Sequence, residues 1–252
     1  MPPKQLVRTF SIALALTLAS LVPCAAQEPQ PRWNVQLELG FNGSLGNSSF
    51  SILRTGGRAK HLKTDVAEFE LSTLVRYGTS EEKVIANDQR VTTKLDLWPQ
   101  ATWSPFFFVD ASRDVIRKLD FRSNGGAGAK YAFWKGESGN ASVSAALIWD
   151  YQNFHLDPDA TDPETKSLAR WSIRAKGEKT LSETTTIEHA TFYQPAWDRT
   201  SDFVVTMTTS VSTKVLRDVS LSIEHEFLHD SVPPPGVGPD DQKFSVLLKV
   251  TL

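Results

Sequence analysis

The last ten residues, KFSVLLKVTL at positions 243–252, alternate between apolar and polar side chains. One face of this segment is apolar, at Phe244, Val246, Leu248, Val250 and Leu252. The other face is polar at Lys243, Ser245, Lys249 and Thr251, and Leu247 alone breaks the pattern. A period of two residues predicts a β-strand whose side chains point alternately to opposite sides. This strand displays one continuous apolar face, and something must cover it.

The same alternation recurs along most of the chain, and helical periodicity is almost absent. Clear examples are WNVQLELGFN at 33–42, EFELSTLVRY at 68–77, RVTTKLDLW at 90–98, ASVSAALIWDY at 141–151, ARWSIRAK at 169–176, FVVTMTTSVSTK at 203–214 and VSLSIEHEF at 219–227. Weaker versions stand at 49–56, 101–111, 124–134 and 185–193. With the final segment, these predict an all-β fold of about twelve antiparallel strands.

The positions of the charged residues bear on what covers the apolar faces. In the clear segments, no Lys or Arg falls among the alternate positions that form the apolar face, which we call the apolar phase. In water, a two-sheet sandwich or an inward-packed barrel would bury those faces, and patterning alone leaves this alternative open. In a bilayer, lipid covers them, and a Lys or Arg facing lipid at the midplane would cost about 2–4 kcal/mol. We therefore favour a transmembrane β-barrel with its charges inside. The candidate lumen-lining residues are Glu38, Glu70, Arg76, Lys94, Asp96, Arg170, Arg174, Lys176, Glu224 and Glu226.

Aromatic residues and connection lengths point the same way. Aromatic side chains near the predicted strand ends fit the interfacial girdles of a membrane barrel, at Trp33, Tyr77, Trp103, Tyr131, Trp149 and Trp171. Every second connection is compact, whereas the others are mostly longer, at 78–88, 110–120, 153–167, 194–202 and 228–242. Short turns at one end and long loops at the other are typical of outer-membrane barrels.

Residues 1–26 have the layout of a secretory signal peptide, with Lys4 and Arg8 before an uncharged apolar run and Ala26 at the predicted cleavage site. We expect cleavage after Ala26 and a barrel domain at 27–252. The alternative makes Cys24, the sole cysteine, a lipidated first residue. Cleavage lowers the basic count from 27 to 25 against 29 acidic residues, which gives a net charge of −4. No basic cluster indicates nucleic-acid binding.

A family resemblance follows from two stretches. WNVQLELGFNGSLGNSSF at 33–50 resembles the opening of the domain-of-unknown-function family 481, described as salt-induced outer-membrane proteins; the matching positions are Trp33, Gly40, Gly46 and Asn47. DVIRKLDFRSNGGAGAKYAF at 114–133 is similar to the middle of that family, at Asp114, Arg122, Gly126, Gly128 and Tyr131. The resemblance implies an outer-membrane barrel and transfers no catalytic residue.

Residues able to carry chemistry are few. His225 shares a strand face with Leu221 and Ile223, away from Glu224 and Glu226, so a girdle position is favoured over a catalytic base. His189 and Thr191 share one face and are interpreted as a polar pair in the lumen. An acidic loop holds Asp157, Asp159, Asp162 and Glu164, and a solvated loop is favoured there over a weak cation site. We predict no catalytic, cofactor or metal residues.

The function predicted from the sequence is that of an outer-membrane barrel without enzymatic activity. It would be structural or a passive pore for small solutes, linked to salt or envelope stress through the family resemblance. Its expected partners are outer-membrane lipid and the barrel assembly machinery of a Gram-negative bacterium, which would recognise the final strand. Two alternatives stay open: a barrel enzyme acting on lipid through His189 or His225, and a soluble periplasmic sandwich or carrier.

Overall fold

The computed structural model describes residues 32–44, 49–156, 159 and 163–252, and these form an antiparallel barrel. The strands are β1 Arg32–Ser44, β2 Phe50–Lys63, β3 Ala67–Ser80, β4 Lys83–Leu97, β5 Trp103–Asp114, β6 Leu119–Gly136, β7 Gly139–Phe154, β8 Thr165–Thr180, β9 Thr185–Pro195, β10 Phe203–Lys214, β11 Val219–Asp230 and β12 Asp240–Thr251. Each strand pairs with the next, and β12 pairs with β1, so the sheet is closed. The predicted all-β barrel of twelve strands is confirmed, and the two-sheet sandwich is wrong. The predicted cleavage site after Ala26 and the family positions Gly46 and Asn47 lie outside the described residues.

The seam between β1 and β12 explains the residue that breaks the terminal pattern. Leu247 lies opposite Gly40 in the ladder and is fully buried, with 0% of its surface exposed. A Cβ atom at Gly40 would stand 2.6 Å from the Leu247 Cδ2 atom. Leu247 therefore points into the barrel, where the missing side chain of Gly40 leaves room for it.

The outer face of the barrel carries the apolar phase of the strands. In β1, Leu37, Leu39 and Phe41 are 49%, 52% and 67% exposed. Aromatic pairs flank this surface: Trp33 with His61 at 4.5 Å, Trp103 with Tyr131 at 4.7 Å, and Trp171 stacked on Trp197 at 4.7 Å between ring centroids. A wall that is apolar outside and charged inside is the reverse of a water-soluble domain. No helix in the described part of the chain is long and apolar enough to cross a membrane.

The two ends of the barrel differ in their connections. One end, which we call the turn end, holds the start of β1, the end of β12 and the connections 64–66, 98–102, 137–138, 181–184 and 215–218. The opposite end, the loop end, holds the remaining connections, of which 155–164, 196–202 and 231–239 are the longest.

The prediction of long loops is wrong for two of the connections at the loop end. The β3–β4 connection is only Glu81–Glu82, with φ angles of 47° and 67°, and the β5–β6 connection is only residues 115–118. Positive φ at both central residues closes a two-residue hairpin. The polar residues on either side consequently continue the strand pairing instead of forming a loop.

Two glycines of β6 allow an apolar layer to form inside the barrel. In the ladders, Gly128 lies between Phe106 of β5 and Ala146 of β7, and Gly126 lies between Phe108 and Ile148. Phe106, Ala146 and Ile148 are buried together, with Phe108 packed against them. A Cβ atom at Gly128 would collide with the Ala145 carbonyl oxygen and the Ala146 side chain. The strand β6 therefore packs closely against β7 at this glycine.

Several of the most deeply buried side chains are charged. Arg122 donates from Nε to Asp150 Oδ1 at 2.8 Å, and Arg170 donates to Asp150 at 3.0 Å and to Asp202 at 2.9 Å. Arg170, Asp150 and Asp202 are at most 1% exposed. Asp202 ends the 196–202 loop, so this ladder of alternating charges holds the loop against the wall.

Asp202 also shows how the ladder stays ionised. Burial opposes the charge of its carboxyl group, but hydrogen bonds and charge from Lys166 and Arg170 outweigh that effect and lower the pKa of Asp202. Lys166 donates to it at 2.8 Å. The loop residue is therefore an anion held by two cations from β8.

The substitution Gly128→Ala tests the packing of the glycine strand. We expect it to destabilise the barrel by about 1–3 kcal/mol, because the added Cβ atom overpacks β6 against β7. Denaturant unfolding of the protein refolded in detergent micelles measures this change. Gly177→Ala is the control, because nothing lies within 4 Å of a Cβ atom there. Equal destabilisation by the two substitutions would contradict the packing described.

The substitution Arg170→Ala tests the charge ladder. It leaves Asp150 and Asp202 without their shared partner, so we expect a loss of about 3–5 kcal/mol in the same unfolding measurement. Arg199 also contacts Asp202, at 3.2 Å, but its side chain is 64% exposed. Arg199→Ala should therefore cost no more than about 1 kcal/mol, and a loss as large as that of Arg170→Ala would refute the role of burial.

Candidate functional site in the barrel lumen

The lumen contains three adjoining cavities among the described residues. The carboxylate cavity, of about 250 Å³, is lined by Glu38, Arg54, Glu224 and Glu226 among others. The phenylalanine cavity, of about 260 Å³, is lined by Phe106, Phe108 and Phe192 among others. The loop-end cavity, of about 90 Å³, is lined by Asp88, Asp114, Arg117 and Lys243 among others. Arg90 borders all three, so they are parts of one interior space.

The ten candidate lumen residues lie on the inner side of the wall. Six line the two larger cavities: Glu38, Glu224 and Glu226 in the first, and Glu70, Lys94 and Arg174 in the second. The other four are bound to inner residues: Arg76 to Glu226, Asp96 to Lys94, Arg170 to Asp150, and Lys176 to Glu188. The structure brings them together in separate groups and not in a single cluster.

Arg54 gathers the carboxylates of the first cavity. Its guanidinium lies 2.7 Å from Glu224, 2.8 Å from Glu226 and 3.1 Å from Glu38, and the residue is only 7% exposed. Glu224 and Glu226 follow each other on the inner face of β11, where two like charges repel. Arg54, together with Arg76 at 2.7 Å from Glu226, compensates that repulsion.

Several ion pairs run across the lumen, and we call them the cross-lumen network. Arg76 of β3 reaches Glu226 of β11, a path of four steps through β2, β1 and β12 around the wall. Lys243 of β12 lies 3.5 Å from Asp88 of β4 and 3.7 Å from Asp114 of β5. These side chains connect parts of the wall that are far apart along the sheet.

The ion pair that joins the most widely separated strands lies at the loop end. Arg117, in the turn between β5 and β6, lies 3.3 Å from Asp230 at the end of β11. In a closed sheet of twelve strands, β5 and β11 are diametrically opposite. The cross-lumen network therefore spans the full width of the lumen near this end.

Toward the turn end, the ion pairs run along the wall. Lys60 of β2 lies 3.2 Å from Glu70 of β3, and Lys176 of β8 lies 2.8 Å from Glu188 of β9. Lys94 and Asp96, 2.7 Å apart, belong to the same strand. Pairs between neighbouring positions neutralise charge without crossing the space. Within the described part of the chain, the ion pairs that cross the lumen thus lie toward the loop end.

The histidines named in the sequence lie on the outer face or in loops. His189 contacts the hydroxyl groups of Thr191 and Thr209, both at 2.8 Å, and it is exposed, so its interpretation as part of a polar lumen pair is wrong. His225 stacks on Phe244 with 4.4 Å between ring centroids. Neither ring is hydrogen-bonded to a carboxylate among the described residues. No group of three side chains able to hold a metal ion occurs in this part of the chain.

Sequence reasoning missed several residues that shape the lumen. Arg54 falls in a segment whose alternation is weak, and Glu188 falls in a strand whose phase is ambiguous. Arg117 stands in a stretch interpreted as a long loop. Phe106 belongs to the run FFF, in which apolar side chains occupy both phases and hide which one points inward. Lys243 could have been found, because it lies on the polar phase of a clear strand.

Comparison with solved structures shows the same fold. The COG4313 outer membrane channel from Pseudomonas putida F1 is 12% identical, with a TM-score of 0.50, and the match covers 90% of this chain and 97% of that one. The NanC porin is 9% identical, with a TM-score of 0.53, and the match covers 88% of this chain and all 100% of that one. At such identities the likeness concerns the fold alone, which is that of outer-membrane barrels.

Comparison of the sequence with known families is more specific. No curated protein matches this chain. The family model described as "Protein of unknown function, DUF481" matches residues 37–252, nearly all of the described barrel. The family resemblance is confirmed over these residues, and Trp33 lies before the first matched residue. The individual motif positions Gly40, Arg122, Gly126 and Gly128 stay predictions. This chain therefore belongs to the DUF481 family.

Proposed function

We propose that this protein is an outer-membrane channel through which small polar solutes cross the bilayer. The wall supports this, because its outside is apolar and its inside is charged, as a barrel surrounded by lipid requires. The two similar barrels described above are an outer-membrane channel and a porin. The competing hypothesis is a barrel in the same membrane that has a structural role and transports nothing.

One observation carries the channel proposal: the cross-lumen network consists of side chains. Every strand of the described chain belongs to the wall, so no strand fills the interior. Ion pairs across the space join Arg76 to Glu226, Lys243 to Asp114, and Arg117 to Asp230. Side-chain rearrangements take place on a much faster timescale than unfolding of a wall. Water and ions can therefore replace these pairs while the barrel stays closed.

The arrangement also favours a narrow passage over a wide one. Barrels of about eight strands are filled by side chains, whereas those of 16–18 strands leave an open aqueous channel. Twelve strands lie between these cases, and here the interior is divided into cavities separated by ion pairs. We therefore propose passage of small hydrated solutes, limited by the network near the loop end.

The location can be tested by fractionation. We expect the protein to leave the cell envelope only with detergent, because its outer surface is apolar. On a gel, the unboiled protein should migrate differently from the boiled one, since a closed sheet resists the denaturing detergent until it is heated. Recovery of the protein in the aqueous fraction, with one mobility, would contradict the membrane location and favour a soluble carrier.

Conductance tests the channel itself. Purified protein inserted in a planar bilayer should carry current, and Arg117→Ala should raise its single-channel conductance or open time. The reason is that Arg117 and Asp230 form the ion pair that joins opposite sides of the wall near the loop end. If the protein were shown to be inserted in the bilayer and carried no current, the channel proposal would be wrong and the structural role would be favoured.

His229→Ala provides the matched control. His229 precedes Asp230 but lies on the outer face, where it is 2.7 Å from Asp240 and 5.4 Å from the Phe203 ring. Its removal should leave the conductance at the wild-type value. If both substitutions changed the conductance alike, the constriction would not lie in the cross-lumen network.

The partners expected from the sequence remain part of the proposal. Lipid of the outer membrane of a Gram-negative bacterium would contact the apolar outer face, and the assembly machinery would recognise β12 before it closes on β1. The link to salt or envelope stress stays a prediction from the family resemblance. No observation favours the alternative of a lipid-acting enzyme, because both ring nitrogens of His189 are engaged by threonine hydroxyls.

A further inference from the structure

The phenylalanine cavity is surrounded by an excess of positive charge. Its basic lining residues are Arg90, Lys94, Arg122, Lys130 and Arg174, and its acidic ones are Glu70 and Asp110. Charges withdrawn from bulk water are costly unless opposite charges compensate them. An anion in the cavity would restore that balance.

Two of the five cations have binding capacity left. Arg122 is held by Asp150 through two hydrogen bonds, at 2.8 and 2.9 Å. Lys94 is held by Asp96 at 2.7 Å, and Lys130 is paired with the same carboxylate at 4.0 Å. Arg174 forms no ion pair with any described residue, and its buried Nε atom has no hydrogen-bond partner. Arg90 lies 3.7 Å from Asp110, and its side chain is 53% exposed to the lumen. Arg174 and Arg90 are thus the donors available to an anion.

The same cavity also has an apolar wall. Phe106 and Phe108 pack on the buried layer formed with Ala146 and Ile148. Phe192 lies outside that layer, on β9, and the Arg174 guanidinium stands 5.0 Å from the centre of its ring. A guanidinium over an aromatic face is fixed in place and partly dehydrated, which strengthens its hydrogen bonds to an anion.

We infer that the phenylalanine cavity binds a small organic anion that joins a carboxylate to an apolar ring or chain, with the carboxylate on Arg174 and the apolar part on Phe192 and Phe108. The volume of about 260 Å³ fits a small molecule and not a polymer. An inorganic anion would use the cations and leave the rings exposed. The inference rests on the proposed channel function, because it assigns a solute class to that lumen.

Calorimetric titration of the full-length protein in detergent micelles tests the inference, with benzoate, acetate and benzamide as probes. Benzoate carries both the charge and the ring, whereas acetate lacks the ring and benzamide lacks the charge. We expect benzoate to bind at least about tenfold more tightly than either of them. Equal affinity for acetate and benzoate, or for benzamide and benzoate, would overturn the assigned class.

Variants locate the binding. Arg174→Gln should weaken benzoate binding by about tenfold or more, because it removes a charged hydrogen-bond donor. Phe192→Ala should weaken the binding of benzoate but not that of acetate, which gives a second test if the first variant does not fold. Lys179→Gln, on the same strand, removes a charge from an exposed residue that does not line the cavity. It should bind benzoate like the wild type.

Heat-modifiable mobility shows for each variant that the barrel is folded. Wild-type protein that binds no benzoate, or equal weakening by Arg174→Gln and Lys179→Gln, would overturn the proposal. Titration needs no current, so the two proposals fail separately. Conductance without benzoate binding would contradict the binding site but not the channel. Benzoate binding without conductance would contradict the channel but not the binding site.

Discussion

The pairing of β12 with β1 is the constraint on which the rest of the structure depends. A strand that faces lipid has no water to satisfy its backbone, so an open sheet edge in the bilayer would leave a row of unpaired polar groups. The seam is short: its ladder joins residues 36–40 to 247–251, whereas the β1–β2 ladder runs from Arg32 to Ser44. Packing of Leu247 into the space above Gly40 supports this short ladder from inside. From Phe244 to Val250 the outer phase of β12 has no polar residue, as a closure in the bilayer needs.

Closing the sheet has a second consequence, because the polar phase of every strand then faces one enclosed space. The charges placed there are partly withdrawn from water, and each needs a counter-charge. The ladder from Arg122 to Asp202 meets this need within the wall and fixes a loop at the same time. The pairs around Arg54 and Glu226 meet it by reaching across the interior. One requirement of charge balance thus gives both a rigid wall and a divided lumen.

The phenylalanine cavity departs from this scheme in two respects, and both follow from the strands around it. The glycines of β6 leave room for Phe106 and Phe108, so apolar side chains occupy a phase that is otherwise polar. Next to them, Arg174 has a ring as its neighbour where other arginines of the lumen have carboxylates. The combination of unbalanced charge and apolar surface distinguishes this cavity from the carboxylate cavity, in which Arg54 is fully compensated.

The sequence by itself determined the all-β fold, the number of strands and the apolar outer phase, because a period of two residues is a local property that each strand carries alone. It also placed Glu224, Arg174 and the other candidates on the polar phase. It did not determine that Glu81 and Glu82 form a tight turn, since neither is a glycine and their backbone angles follow from pairing of the flanking strands. The direction of Phe106 was hidden by its apolar neighbours. Only the tertiary structure decided which charges meet, because contacts such as Arg117 with Asp230 depend on the stagger and curvature of a closed sheet, and these arise from all twelve strands together.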